Sequence, residues 1–245
     1  KRKYRRQNIS NAERLKDYSE LQKGDYVVHQ IHGIGQYLGI ETIEIKHDVA
    51  LLRLALPKVP SFAFYAGQYI DLLLPGNISR SYSIANSPDQ EGVLELHIRK
   101  RENGVCSEMI FGAEPKIKEK GIVRVKGPLG TFTLQQDSNK PIVLLATGTG
   151  YAPIRSILLD LIYQNSERPV HFYWGARQKE DLYALEEAEA LIGRLKNAKF
   201  SPVLSKPDSN WKGENGYVQN VAAQNYPDLS QYEVYACGSP AMTES

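Results

Sequence analysis

The sequence predicts an antiparallel β-barrel followed by a doubly wound parallel α/β sheet, with a short basic extension in front. Three observations predict it. Short β-like runs between residues 49 and 134 are punctuated by glycine and proline turns, the pattern of an antiparallel barrel. After Lys140-Pro141, strand-like and helix-like segments alternate, which gives a parallel sheet flanked by helices. Three of the later strand-like segments run into glycine-bearing turns, Gly148-Thr149-Gly150, Gly175-Ala176-Arg177 and Cys237-Gly238-Ser239-Pro240. The expected divisions are residues 1–45 (extension), 46–136 (barrel) and 137–245 (α/β unit).

Composition sets the bounds. A chain of 245 residues, 42% hydrophobic and 24% charged, is long enough for two cores and reads as a soluble globular protein. No apolar run is long enough to span a bilayer, and the basic start lacks the apolar stretch of a secretory signal. Cys106 and Cys237 read as free thiols of a reducing cytoplasm rather than a disulfide. The histidines and cysteines have no metal-site spacing; a His29–His32 pair lacks a third ligand. Residues 1–24 carry a net charge of +5, so the rest carries −3 of the overall +2. Such a head could meet an acidic surface or nucleic acid, or simply be solvated. Direct nucleic-acid binding is the weaker expectation.

The elements follow in order. Ser10 and Glu13 form a capping-box pattern for a short helix. Residues 25–31 and 36–45 are β-like, with a turn at His32-Gly33-Ile34-Gly35. Barrel strands are expected at 49–56, 68–74, 80–85, 93–99, 122–126 and 131–134, with one helix over 105–112 behind Gly104. Ile142-Val143-Leu144-Leu145-Ala146 is a continuous apolar run, as in a strand buried on both faces. Pro153 suits the first turn of a helix reaching residue 163. Further strands are expected at 170–174, 200–204 and 233–236, and an amphipathic helix over 181–195.

Arg80-Ser81-Tyr82-Ser83 offers a cation, a ring and hydroxyls within four residues. Alternation puts Arg80 and Tyr82 on one face and Ser81 and Ser83 on the other. Alone, it reads first as a surface hairpin strand. Gly148-x-Gly150, between a strand and a helix, lets backbone approach a pyrophosphate, or serves as a tight structural turn.

Taken together with Ala66-Gly67-Gln68-Tyr69-Ile70, Gly127-Pro128-Leu129-Gly130, Tyr173-Trp174-Gly175-Ala176-Arg177 and the Cys237 segment, these motifs resemble the ferredoxin–NADP reductase superfamily over residues 47–245. Reductases of the CDP-6-deoxy-glucoseen type and oxygenase reductase components are the nearest in look. The resemblance implies FAD and NADPH or NADH as cofactors. It implies hydride transfer to flavin N5, then electron transfer to a small flavin, an iron–sulfur protein or an oxygenase. By position, Arg80 and Ser81 belong to the FAD pyrophosphate segment, Tyr82 stacks on the isoalloxazine and Ser83 meets N5. His97, Ile98 and Arg99 line the ribityl chain and phosphate, with Gly104 and Ser107 at the pyrophosphate. Gly148, Thr149, Gly150, Pro153, Arg177 and Gly238 receive the nicotinamide dinucleotide. Cys237 lies beside the nicotinamide; Ser205, Lys206 and Tyr217 lie toward the adenosine. Ser83 and Cys237 are the implied catalytic pair, and no metal is implied. The cysteines of a plant-type [2Fe–2S] domain do not occur, and relatives continue with a helix beyond the position of Ser245.

Residues 3–45 carry a second likeness. Arg5 to Arg14, Gly24 to His29 and His32 to Ile40 resemble the start of the RNA-polymerase-interacting domain of bacterial transcription-repair coupling factors. That implies a partial Tudor-like β segment, contact with RNA polymerase and a chimeric chain. In that alternative the reductase part would be inactive. Residues 43–49 could instead supply the first barrel strand.

Overall fold

A computed structural model describes residues 26–29, 33–56 and 62–244. The basic head, the Ser10–Glu13 capping box and the His29–His32 side-chain pair lie outside what is described. The first unit is built from β2 (Gly33–Lys46), β3 (Val49–Ala55), β4 (Tyr69–Leu74), β5 (Ile78–Ser83), β6 (Val93–Arg99) and β7 (Ile122–Leu129). Their order is β5-β4-β7-β2-β3-β6, every pair antiparallel. A bridge between Ile84 and Leu96 joins the two edges and closes the barrel. β1 (Tyr26–His29) pairs with β2 off this path. Leu38, Ile40, Leu52, Leu54, Ile70, Leu72, Leu94, Leu96 and Val125 fill the interior, two apart along each strand as the pleat requires. The helix α1 (Val105–Phe111) adds Cys106 and Ile110 to that core.

Three expectations change here. β2 crosses the expected boundary at residue 46. It pairs with β3 on one side and β7 on the other, and Leu38 is fully buried, so the barrel cannot close without it. Gly33 to Gly35, expected in a turn, already pair with β1. Residues 131–134 form no strand. Gly130, at φ +94°, turns the chain out of the barrel, and Leu134 packs into the core shared with the second unit.

That second unit holds β8 (Ile142–Thr147), β9 (Val170–Ala176), β10 (Ala198–Leu204), β11 (Glu214–Asn215) and β12 (Glu233–Cys237), all parallel, in the order β11-β10-β9-β8-β12. Winding proceeds outward from β8 through β9 to β11, then returns to β12 on the other side. The switch point therefore lies between β8 and β12. Helices α2 (Tyr151–Tyr163) and α3 (Leu185–Ile192) cover one face, over Ile142, Leu144 and Ala146. Helix α4 (Val218–Asn225) and Met242 of α5 (Pro240–Thr243) cover the other, over Val143 and Leu145. β8 is thus apolar throughout because both its faces are roofed. α3 starts later than expected. Asp181 accepts the Gln178 backbone N–H at 3.2 Å in a capping box on a separate short turn, Lys179–Asp181. Leu182, Tyr183 and Ala184 then turn inward as buried residues before the helix begins.

The two units share one apolar core. β3 turns Leu52 and Leu54 into the barrel and Val49 and Leu51 outward onto the second unit. With Ala66 and Leu134 they join Ile142, Ile154 and Leu158 in a single cluster.

Since β2 completes the barrel, Leu38→Ala should cost about 2–5 kcal/mol, as for other fully buried leucines. Urea unfolding measures this; an unchanged midpoint would mean that β2 is dispensable.

Candidate functional site

The β4–β5 hairpin positions the first group of residues. Its register pairs Arg80 with Leu72 and Tyr82 with Ile70, so both face the barrel side, as alternation requires. Ser81 turns the other way and donates its hydroxyl to Asp71 Oδ1 at 2.7 Å. Tyr82 is half-buried on the barrel core, and its hydroxyl hydrogen-bonds Cys106 at the start of α1. Burial, then Cys106, raises the Tyr82 pKa, so its phenol stays neutral; burial raises Cys106 as well. Ser107 accepts the Arg101 backbone N–H at 2.8 Å and so ties down the loop that ends at Gly104.

The switch point positions the second group. Gly148 has φ +53°, and a Cβ there would lie 3.1 Å from Arg99 Nη1. Gly150 rests on the Cys237 carbonyl and Gly238 on Thr147, too close for any side chain. The Ser239 N–H donates to Thr147 Oγ1 at 2.8 Å, and Trp174 Nε1 donates to the Gly148 carbonyl at 3.1 Å. Trp174 in turn stacks on Tyr151, ring centres 4.2 Å apart. The turn is therefore held rigidly, with the Arg99 guanidinium close against Gly148 and the turn lining the cleft.

Both groups line one cleft of about 860 Å³. Arg80, Ser81, Tyr82 and Ser83 meet Gly148, Thr149 and Gly150 there. His97, Arg99, Gly104 and Ser107 line it from the barrel. Arg177, Ser205, Tyr217, Cys237 and Gly238 line it from the sheet. Three expected residues stand apart from the lining. Ile98 is sealed in the barrel core, Pro153 is buried in the first turn of α2, and Lys206 is exposed outside the cleft. Residues that motif reading missed include Arg101, Cys106 and Asp181. Cys106 had one signal, its place in the first turn behind Gly104.

Charge indicates what the cleft suits. Arg80, Arg99, Arg101 and Arg177 stand against one lining carboxylate, Asp181. Arg99 joins the units, pairing with Asp48 at 3.0 Å and Asp181 at 3.4 Å. Its Nε nevertheless finds no aligned acceptor, and the Asp48 Oδ1 oxygen is buried with no donor to accept from. Four guanidiniums, a backbone turn open to solvent and a half-buried ring suit a diphosphate with a flat heterocycle.

A polar network lies behind the cleft. His97 is buried between Glu95, 3.1 Å from Nε2, and the Tyr183 hydroxyl, 2.7 Å from Nδ1. Burial lowers the His97 pKa against the pull of Glu95. The neutral ring then donates from Nε2 to the carboxylate and accepts from Tyr183. Burial would raise Glu95, but the His97 hydrogen bond and the Arg155 charge outweigh it and its pKa falls.

Comparison with known proteins agrees with this architecture. The family model for the oxidoreductase FAD-binding domain matches residues 39–134, and that for the oxidoreductase NAD-binding domain matches 144–245. The CDP-6-deoxy-L-threo-D-glycero-4-hexulose-3-dehydrase reductase of Yersinia pestis is 45% identical over 204 residues, 83% of this chain and 60% of its own. The NAD(P)H-flavin reductase of Vibrio harveyi is 34% identical over 71% of this chain and 75% of its own. The Amycolatopsis cytochrome P450 reductase GcoB superposes with a TM-score of 0.76 at 31% identity, over 86% of this chain and 64% of that one. The resemblance of residues 3–45 to an RNA-polymerase-interacting domain finds no support in these comparisons, and neither does a chimeric origin.

Two histidines, His97 buried beside the cleft and His171 half-buried on β9, give the fold a pH signature. Burial lowers His97, and burial then Lys199 lowers His171 to about 4. Between the ordinary histidine value of 6.5 and about 4, the unfolded chain binds protons that the fold refuses. Stability therefore falls as pH falls through that window, and loss of the Glu95 charge acts in the same direction at lower pH. The urea midpoint should drop from about pH 7 to about pH 5, and less steeply in His171→Gln. A midpoint that holds or rises on acidification would contradict histidines kept neutral by the fold.

Proposed function

The chain belongs to the ferredoxin–NADP reductase-like oxidoreductases, which join an FAD-binding domain to an NAD-binding domain, and from that premise we propose that it is an NAD(P)H-dependent flavin reductase that hands electrons to a separate acceptor. One observation carries the reading. Arg80 to Ser83 from the barrel and the glycine-bearing ends of β8 and β12 line a single cleft. The division into an FAD unit up to residue 136 and an NAD(P) unit from 137 belongs to this proposal, the FAD unit taking in β2.

Roles follow from placement. Arg80 and Arg101 would neutralise the FAD diphosphate beside the loop that Ser107 ties to Arg101. Tyr82, neutral and held by Cys106, would lie on the isoalloxazine. Ser83 would present its hydroxyl to flavin N5. The Gly148 to Gly150 turn would take the NAD(P)H diphosphate, with Cys237 at the nicotinamide. Bound together, the two cofactors supply a hydride donor, a hydride acceptor and a means of releasing electrons singly. The protein's part is to bind them, align them and keep water out.

Toward the adenosine, Arg177 lines the cleft whereas Lys206 does not. Arg177 is therefore the better candidate for the 2′-phosphate of NADPH. The acceptor is a small flavin, an iron–sulfur protein or an oxygenase; the first and last are in keeping with what the flavin reductase and the cytochrome P450 reductase are named for. Among the described residues no helix is long and apolar enough to cross a membrane, and Cys106 and Cys237 are free thiols. A reducing, cytoplasmic setting fits both.

Two substitutions separate binding from transfer. Arg80→Ala should weaken FAD binding about tenfold or more, the loss of one charge-assisted contact. Ser83→Ala should keep FAD but slow its reduction by NAD(P)H about tenfold or more, as expected for a donor aimed at the reacting atom. Titration with FAD and anaerobic stopped-flow absorbance read the two effects. Unchanged FAD affinity in Arg80→Ala would remove the proposed flavin seat.

A further inference from the structure

We propose that Arg155 is the positioning residue for hydride transfer, holding the flavin strand of the barrel at a fixed distance from the nucleotide turn of the sheet. The inference rests on the reductase reading above. Arg155 sits one turn into α2, directly after the Gly148 to Gly150 segment. Its side chain does not line the cleft; it crosses the seam between the two units.

Each face of the guanidinium has a partner. Nη1 donates to the Ala85 carbonyl at 2.8 Å and lies 3.2 Å from Glu95 Oε1. Nε and Nη2 both meet Glu187 Oε1, at 3.0 and 2.8 Å. Next to it, Ser156 donates to the Asn86 carbonyl at 2.7 Å. Two successive residues of α2 thus grip two successive carbonyls, and those carbonyls come two and three residues after Ser83. The nucleotide turn and the flavin-facing serine hang from opposite ends of the same short clamp.

The clamp is supported from behind. Glu95 is fixed by His97, whose other nitrogen is held by Tyr183 from the second unit. The Glu95 backbone N–H donates to Asn86 Oδ1 at 2.8 Å, and Asn86 Nδ2 donates to the Val93 carbonyl at 3.0 Å. Glu187 Oε2 accepts from Tyr151 at 3.3 Å, and Tyr151 stacks on the Trp174 that bonds Gly148. Burial disfavours the Arg155 charge, yet Glu187 and Glu95 more than offset this and raise its pKa, so the grip does not relax near neutral pH. A lysine keeps the charge but lacks the planar fork that meets three oxygens in three directions.

The step being aligned oxidises NAD(P)H to NAD(P)+ and reduces FAD by the same hydride. Its rate is steeply sensitive to the separation of donor and acceptor. Substituting the clamp should therefore lower the limiting rate and leave binding intact.

The experiment compares wild type, Arg155→Lys and Glu187→Gln by anaerobic stopped-flow reduction with NADPH and NADH. Arg155→Lys should lose about tenfold or more in limiting rate, with FAD affinity and half-saturating nucleotide concentration within about twofold of wild type. The long-wavelength absorbance of stacked nicotinamide and flavin rings should weaken in parallel. Glu187→Gln should show a smaller loss of the same kind. A wild-type limiting rate in folded Arg155→Lys would overturn the proposal while leaving the reductase reading intact. Should Arg155→Lys fail to fold, Glu187→Gln decides: a reduced limiting rate at unchanged half-saturation supports the clamp, and a wild-type rate overturns it. A wild type that binds FAD but is not reduced by either nucleotide would overturn both readings.

Discussion

The seam between barrel and sheet is the constraint on which the rest depends. Val49 and Leu51 leave the barrel to pack with Ile154 and Leu158 of the second unit, so neither unit can move without opening a common core. Within that seam lies a buried guanidinium, Arg155, between two carboxylates. Buried charges are costly unless every hydrogen-bonding group is met. Here Glu95, Glu187 and the Ala85 carbonyl meet them, and the geometry that satisfies the charge also fixes the angle between the units.

The cleft is a consequence of that angle. β5 supplies a strand with Arg80 and Tyr82 on one face, and β8 and β12 supply a switch point where backbones come too close for side chains. Neither is a site alone. A half-buried tyrosine beside Cys106 has nothing to face, and a rigid glycine turn has no partner, until the seam sets one opposite the other. Arg99 belongs to both, since it leaves β6, reaches the Gly148 turn and pairs with Asp181 across the gap.

Much of this was legible in the sequence, for identifiable reasons. Ile142 to Ala146 reads as a doubly covered strand because five apolar residues in a row have no other use. Arg80 and Tyr82 share a face because alternation in a strand is a matter of geometry. The missed features depend on what comes from far along the chain. The barrel needs β2, yet residues 3–45 carry a likeness to another family, and the pairing with β3 and β7 places β2 in the barrel. Residues 131–134 are apolar enough for a strand, but Leu134 is used by the second unit instead. Glu95, Arg155 and Glu187 carry no local pattern; they are ordinary charged residues until docking removes their water. The resemblance puts Lys206 toward the adenosine, but it is exposed and outside the cleft lining, whereas Arg177 lies within it.

The most direct test of the account is made on the purified protein with FAD added and oxygen removed. Mixing with NADPH or NADH should bleach the yellow absorbance of the bound flavin in a saturable reaction, and an added acceptor should restore it. A protein that stays colourless and retains no FAD, or one whose bound flavin neither nucleotide can bleach, would contradict the central claim.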